Sequence, residues 1–296
     1  MPDPEKRAAR GDSVNGSDKT AVPNPRAREL TLRVLSSVII LPPVLLLFWV
    51  GGPYFLALVT VMAAAMAWEW ANLVAPRCPA SLRRLAGLIG ALLVLAASLA
   101  FEKPVALVVL LALPLAFAGA VRIGSGSWMP QMLPGLLLAL CPAIAIYWIR
   151  ELPDFGLETA LWLALSVVVT DVAAYCAGKS IGGPKIWVRV SPNKTWAGLI
   201  GGMLGAAAFG AGLGMLVGPA NPLVLAGCGV VIALLAQAGD FAESAIKRAF
   251  GAKDSGRLIP GHGGILDRVD GQITVLPVAA LAMLATGESI LLWSWS

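Results

Sequence analysis

The chain has 296 residues, 58% hydrophobic and only 13% charged, with a formal net charge of +5 and a mean hydropathy of +0.80. A water-soluble domain carries about a quarter charged residues, so this composition excludes one and points to a protein that lives in a bilayer. Cys78, Cys141, Cys176 and Cys228 are far apart and mostly within apolar stretches, and no pair has the spacing of a redox or metal-binding motif.

Residues 1–29 are polar, carry Pro2, Pro4, Pro23 and Pro25 and lack apolar periodicity, the composition of a disordered tail. The first apolar run begins only around Val34 and is long enough to span, so it is expected to stay in the membrane and not to act as a cleaved signal. A spanning helix takes about 20 mostly apolar residues. Such stretches lie at about 30–50, 54–75, 85–101, 104–121, 129–149, 158–177, 197–218, 222–246 and 272–294. Only Glu102, Lys103 and Pro104 separate the third from the fourth. The expected fold is all-α, a polytopic integral membrane helical bundle over residues 30–296 with about nine transmembrane helices. Cytoplasmic loops retain Lys and Arg. With the N-terminus inside, every Lys and Arg falls on the inner side except Lys103 and Arg150, while Glu102, Glu151, Asp154 and Glu158 fall outside. The expected topology is N-in and C-out.

Polar residues gather in two inner stretches, the loop 178–198 and the segment 239–271, whose loop portion is 247–271. Each is approached by a helix with acids inside apolar sequence, Asp171 before the first and Asp240 and Glu243 before the second. A charged residue at the centre of a membrane helix costs about 3 kcal/mol on insertion scales, so it persists where it is paired, bound to a metal or facing water. Asp240, Glu243, Ser244 and Lys247 stand at i, i+3, i+4 and i+7, one polar stripe on one helix face. Glu243 and Lys247 also have the spacing and order of a helical salt bridge. Pro260 with Gly256, Gly261, Gly263 and Gly264 rules out a regular helix there and suits a backbone that turns its N–H groups toward an anion. Lys247, Arg248, Lys253, Arg257 and Arg268 are interleaved with Asp254, Asp267 and Asp270. Bases alone would serve lipid headgroups. Bases with carboxylates suit a phosphate-rich ligand bound with a divalent cation. Gly178-Lys179-Ser180 is not a P-loop, because Ala173 stands where that motif needs its first glycine and an apolar helix precedes it.

The run Ser244-x-x-Lys247-Arg248, Lys253-Asp254-Ser255-Gly256, Pro260-Gly261-His262-Gly263-Gly264, Asp267-Arg268-x-Asp270 resembles the signature of the phosphatidate cytidylyltransferase (CDP-diacylglycerol synthase) family. Asp171-x-x-Ala174-Tyr175-x-x-Gly178 and Ser191-Pro192-x-Lys194-Thr195-Trp196 with Gly198 agree with it. Ala197 stands where the family usually has Glu, and Gly271 where it often has Ser. The resemblance implies transfer of the cytidylyl group of CTP to phosphatidate, with Mg²⁺ as cofactor and one cation or two. Asp240 and Asp267 are then the expected cation ligands, with Asp171 and Asp270 as further ligands or supporting groups. Lys247 and His262, the single histidine, are expected to act with those two acids in catalysis. Ser191, Lys194, Thr195, Ser244, Arg248, Lys253, Asp254, Gly263, Gly264 and Arg268 are expected to contact substrates. Trp187 and Trp196 suit the membrane interface. The expected setting is the cell's inner (plasma) membrane with the site facing the cytoplasm. The lipid bilayer is the expected partner and nucleic acid is not, while a homodimer stays open.

Two other readings remain in view. A nucleotide-dependent lipid (polyprenol) kinase would transfer a phosphate to an alcohol. A transporter would explain acids inside spans, but such folds carry repeats with midplane sites, and this sequence shows no repeat. A CDP-alcohol phosphatidyltransferase does not fit, since Asp270-Gly271 is followed by Gln272, Ile273, Thr274 and Val275.

Overall fold

The computed structural model describes residues 25–76, 78–99, 129–217, 219–261 and 263–293. Eight α-helices are present among them: α1 Pro25–Val50, α2 Gly52–Val74, α3 Ala80–Leu99, α4 Met129–Arg150, α5 Gly156–Ser180, α6 Trp196–Leu216, α7 Pro222–Ala249 and α8 Leu266–Thr286. All of these except α4 are long and apolar enough to cross a membrane, and α4 contributes a shorter apolar stretch, Leu137–Arg150. The chain is a multi-pass membrane bundle. The expected span 104–121 lies outside the described residues.

The helices pack in sequence order, α2 on α3, α5 on α6, α6 on α7 and α7 on α8, while α4 rests against α2 and α8. Lipid tails are as apolar as leucine, so such contacts depend on close packing of small residues. Gly202 faces Thr170 on α5, and Gly229 on α7 faces the Ala206 carbonyl of α6 so closely that a Cβ would collide with it. Three apolar clusters result. One joins α4, α5, α7 and α8 around Ile149, Leu163, Leu225, Val275 and Met283. A second joins α2, α3 and α4 around Phe55, Val94 and Ile144, and a third holds α2, α7 and α8 together through Trp70, Ile246 and Leu266. By contrast, α1 leaves Val38, Ile39, Leu46 and Trp49 exposed, a face for lipid.

The structure departs from the sequence expectations at three places. First, α1 begins at Pro25, inside the expected tail, with proline in the first turn, where its missing N–H costs nothing. Second, the loop 178–198 is mostly ordered: α5 runs to Ser180, and β1 (Lys185–Trp187) pairs antiparallel with β2 (Ser191–Thr195) in the register Lys185 with Thr195 and Trp187 with Ser191. Third, the last helix starts six residues before the expected 272 and ends at Thr286 instead of 294. Its charged first turn masks the start in a hydropathy reading. Left-handed Gly287 (φ 77°) ends it, and the chain folds back so that Ile290 and Leu291 are buried.

The termini of these helices sort into two ends. Arg33 near the start of α1 donates from Nε to the Gly261 carbonyl at 2.9 Å, which places the start of α1 beside the glycine-rich loop. The ends of α2, α5 and α7, the starts of α6 and α8 and the hairpin share that end. The α1–α2 junction, the end of α4 and the start of α5 lie at the other.

Candidate active site

Helix α7 carries the polar stripe. Asn221 starts it, with Oδ1 accepting from Leu223 N at 3.0 Å and Val224 N at 3.3 Å, and Pro222 fills the first turn. The helix continues unbroken to Ala249, so Asp240, Glu243, Ser244 and Lys247 do share one face. Gly239 lies against the Asp270 carbonyl and Thr274 of α8, where a Cβ would collide. That close crossing sets Asp240 beside Asp270. The carboxylates of Asp240, Glu243 and Asp270 converge, with ligand oxygens within 4.8 Å of one another.

Two lysines enter this group from different elements. Lys247 bridges Glu243 Oε2 (2.5 Å) and Asp267 Oδ1 (2.9 Å). Lys194, on β2, forms an ion pair with Asp240, donates to Gln237 Oε1 at 2.8 Å and lies 4.6 Å from the centre of the Phe241 ring. Ser244 Oγ donates to Asp240 Oδ1 at 3.3 Å. Asp171, on α5, is within Coulombic range of Asp240, Asp270 and Lys194. Among the described residues the group therefore sets five carboxylates (Asp171, Asp240, Glu243, Asp267 and Asp270) against two ammonium groups. Such an excess of negative charge near a membrane is expensive unless a cation or bound protons offset it. Clustered carboxylate oxygens are the donors a hard divalent cation takes, and anionic phosphates would be repelled here without one.

Two N–H groups of the glycine-rich loop bind one of the protein's own acids. Asp267 accepts from Ser255 N at 3.0 Å through each oxygen and from Gly264 N at 2.8 Å. Its carboxylate thus organises the loop and the first turn of α8 while it holds Lys247. Gly261 and Gly263 take left-handed backbone (φ 76° and 86°), and Ile259 N donates to the Gly263 carbonyl at 2.9 Å to close the turn.

Residues 31–286 match the model of the cytidylyltransferase family. The chain belongs to the cytidylyltransferase family. A Brucella suis biovar 1 (strain 1330) protein named phosphatidate cytidylyltransferase is 38% identical over 256 residues, covering 86% of this chain and 92% of that one. A Brucella melitensis biotype 1 protein of the same name gives the same identity and coverage. One from Staphylococcus aureus (strain COL) is 40% identical over 142 residues, 48% of this chain and 55% of that one.

In this cytidylyltransferase the other expected site residues have varied settings. Thr195 is buried and caps α6, its Oγ1 accepting from Gly198 N at 3.1 Å, so its hydroxyl has a structural task of its own. Arg248 donates to the Ala252 carbonyl at 3.1 Å. Lys253, Asp254, Arg257 and Arg268 are exposed around the loop, and Ser191 is half-buried in the hairpin. His262 lies outside the described residues. Gly271, where the family often has Ser, packs so tightly that a Cβ would come within 2.7 Å of Val167 on α5.

Two residues escaped the sequence reading. Gln237, one helical turn before Asp240, holds Lys194 and is 6% exposed. Glu69 of α2, 1% exposed, accepts from Leu266 N at 3.0 Å and from Ser255 Oγ at 3.4 Å. A lone acid in an apolar span was the available signal for Glu69. Its partners lie 197 and 186 residues away in sequence, so no local pattern reveals them.

Proposed function

We propose that this protein transfers the cytidylyl group of CTP to phosphatidate, giving CDP-diacylglycerol and pyrophosphate for phospholipid synthesis. The observation that carries the reading is the acid-rich cluster, with its two lysines, at the loop-bearing end of a bundle that matches named phosphatidate cytidylyltransferases along most of its length. A phosphate oxygen of phosphatidate attacks the α-phosphorus of CTP. The bond from that phosphorus to the bridging oxygen breaks, and pyrophosphate leaves with the electron pair. A phosphate monoester has its second pKa near 6, so the nucleophile is largely ionised at neutral pH and no strong base is needed. What remains is alignment and charge neutralisation.

Asp240, Glu243 and Asp270 have the converging oxygens to hold a divalent cation, Mg²⁺ in this reading. Asp267, tied to Glu243 through Lys247, is the ligand that the resemblance adds. When bound, the cation supplies positive charge to the triphosphate. Lys194 and Lys247 pair with carboxylates here and would exchange them for phosphate oxygens as CTP binds. Exposed Lys253, Arg257 and Arg268 suit the lipid phosphate at the membrane surface. The basic residues concentrated at this end favour a cytoplasmic-facing site in the inner (plasma) membrane.

The test is purified protein with α-labelled CTP, phosphatidate and Mg²⁺. Label should appear in a CDP-lipid. Transfer of the γ-phosphate to a lipid alcohol, with no α-label in lipid, would make the protein a kinase instead.

A further inference from the structure

Helix α8 brings Asp267 and Asp270 to the site but does not cap its own start: Ile265 at the N-cap makes no side-chain cap hydrogen bond. The cap comes from another helix. Glu69 Oε2 accepts from Leu266 N at 3.0 Å, a carboxylate at the positive end of the helix dipole. The same oxygen accepts from Ser255 Oγ, while Ser255 N and Gly264 N bind Asp267. Gly256 and Gly264 complete the wrapping. A Cβ at Gly256 would come within 2.5 Å of Glu69 Oε1, and one at Gly264 within 2.6 Å of Oε2. Two of the loop's glycines are therefore small because a carboxylate from α2 occupies the space a side chain would need. Glu69 and Asp267 both hold one short segment, Ser255 to Leu266. Among the described residues Glu69 forms no salt bridge, so pairing with a base does not explain a carboxylate that is almost wholly buried.

We propose that Glu69 is a positioning residue that sets the start of α8, and with it Asp267 and Asp270, against Asp240 on α7. This rests on the reading of that cluster as a cation site in a cytidylyltransferase. In this assignment Glu69 acts through the α8 N-terminus and the glycine loop, not by direct contact with substrate or cation.

The experiment titrates Mn²⁺ alone into the detergent-solubilised full chain by calorimetry, alongside Mg²⁺-dependent turnover and thermal unfolding. Groups that orient metal ligands typically cost about 10- to 100-fold in metal affinity when removed. Glu69→Ala is expected to weaken Mn²⁺ binding about tenfold and to raise the half-saturating Mg²⁺ in turnover by a similar factor. Glu69→Gln keeps the acceptor for Leu266 N and loses only charge, so it should stay folded and recover most of the affinity. Gly264→Ala pushes against Ser255 and an intact Glu69, the two partners in this contact, and should reproduce the Glu69→Ala metal defect, which keeps the idea testable if Glu69→Ala does not fold. A purely structural role would lower the unfolding midpoint and leave the metal affinity of the folded protein unchanged. That result, or no Mn²⁺ binding by the unmutated chain, overturns the assignment. Absence of cytidylyl transfer by the unmutated chain would instead sink the proposed reaction.

Discussion

The two ends of the bundle handle buried charge in opposite ways. At the end away from the glycine loop, Arg150 donates to the Phe48 and Trp49 carbonyls at 2.9 and 2.7 Å and pairs with Glu151 at 3.5 Å, while Glu151 accepts from Gly52 N at 2.9 Å. Thr159 and Ser289, both buried, share a hydrogen bond of 2.6 Å. There one base meets one acid, and the polar groups tie helix ends together. At the loop end the cluster, among the described residues, sets four buried or part-buried acids and exposed Asp171 against two lysines drawn from β2 and α7. Lys253, Arg257 and Arg268 stand exposed around it. Balanced polar groups serve the fold. An excess of one sign carries an energetic cost, which a bound ligand of the other sign would lower.

Substitutions at the two ends should therefore separate turnover from stability. The largest effect belongs to Asp240→Asn, which removes one charge from the convergent cluster and little packing. Turnover should fall about 100- to 1000-fold in a protein that still unfolds cooperatively in detergent. Asp267→Asn should be comparably severe, because it removes the negative charge that Lys247 holds and weakens the loop's hydrogen bonds; near-normal turnover would remove Asp267 from the machinery. Lys194→Ala comes next. It should raise KM for CTP about tenfold, the loss expected for one charge-assisted contact, and initial-rate kinetics would show it. At the opposite end Arg150→Ala should lower stability by about 2–3 kcal/mol through two lost hydrogen bonds, leaving turnover per folded molecule unchanged. Ser289→Ala should cost about 1 kcal/mol on thermal unfolding, the smallest effect, again without touching the reaction. A turnover defect in either of the last two would break the division between the ends.

The same division explains what could be read in advance. The α7 stripe was legible because one helix carries Asp240, Glu243, Ser244 and Lys247 at helical spacing. The loop was legible because its glycines, acids and bases are contiguous. The α8 start was not, since hydropathy discards an opening stretch holding Asp267, Arg268 and Asp270, and its cap comes from Glu69 on a distant helix. The hairpin was missed because β1 has only three residues, too few for an alternating pattern. The purpose of the glycines was half legible. The loop does turn N–H groups, those of Ser255 and Gly264, toward an anion, but in this structure that anion is Asp267, and two of the glycines also make room for Glu69.

Cation dependence tests the meaning of the negative excess most directly. Protein stripped with EDTA is assayed for transfer of α-label from CTP to phosphatidate, then assayed again after Mg²⁺ is restored. Transfer should fall to background in EDTA and return with Mg²⁺. Undiminished transfer without a divalent cation would show that five carboxylates and two lysines accommodate the triphosphate by themselves, contradicting the charge argument on which the site was built.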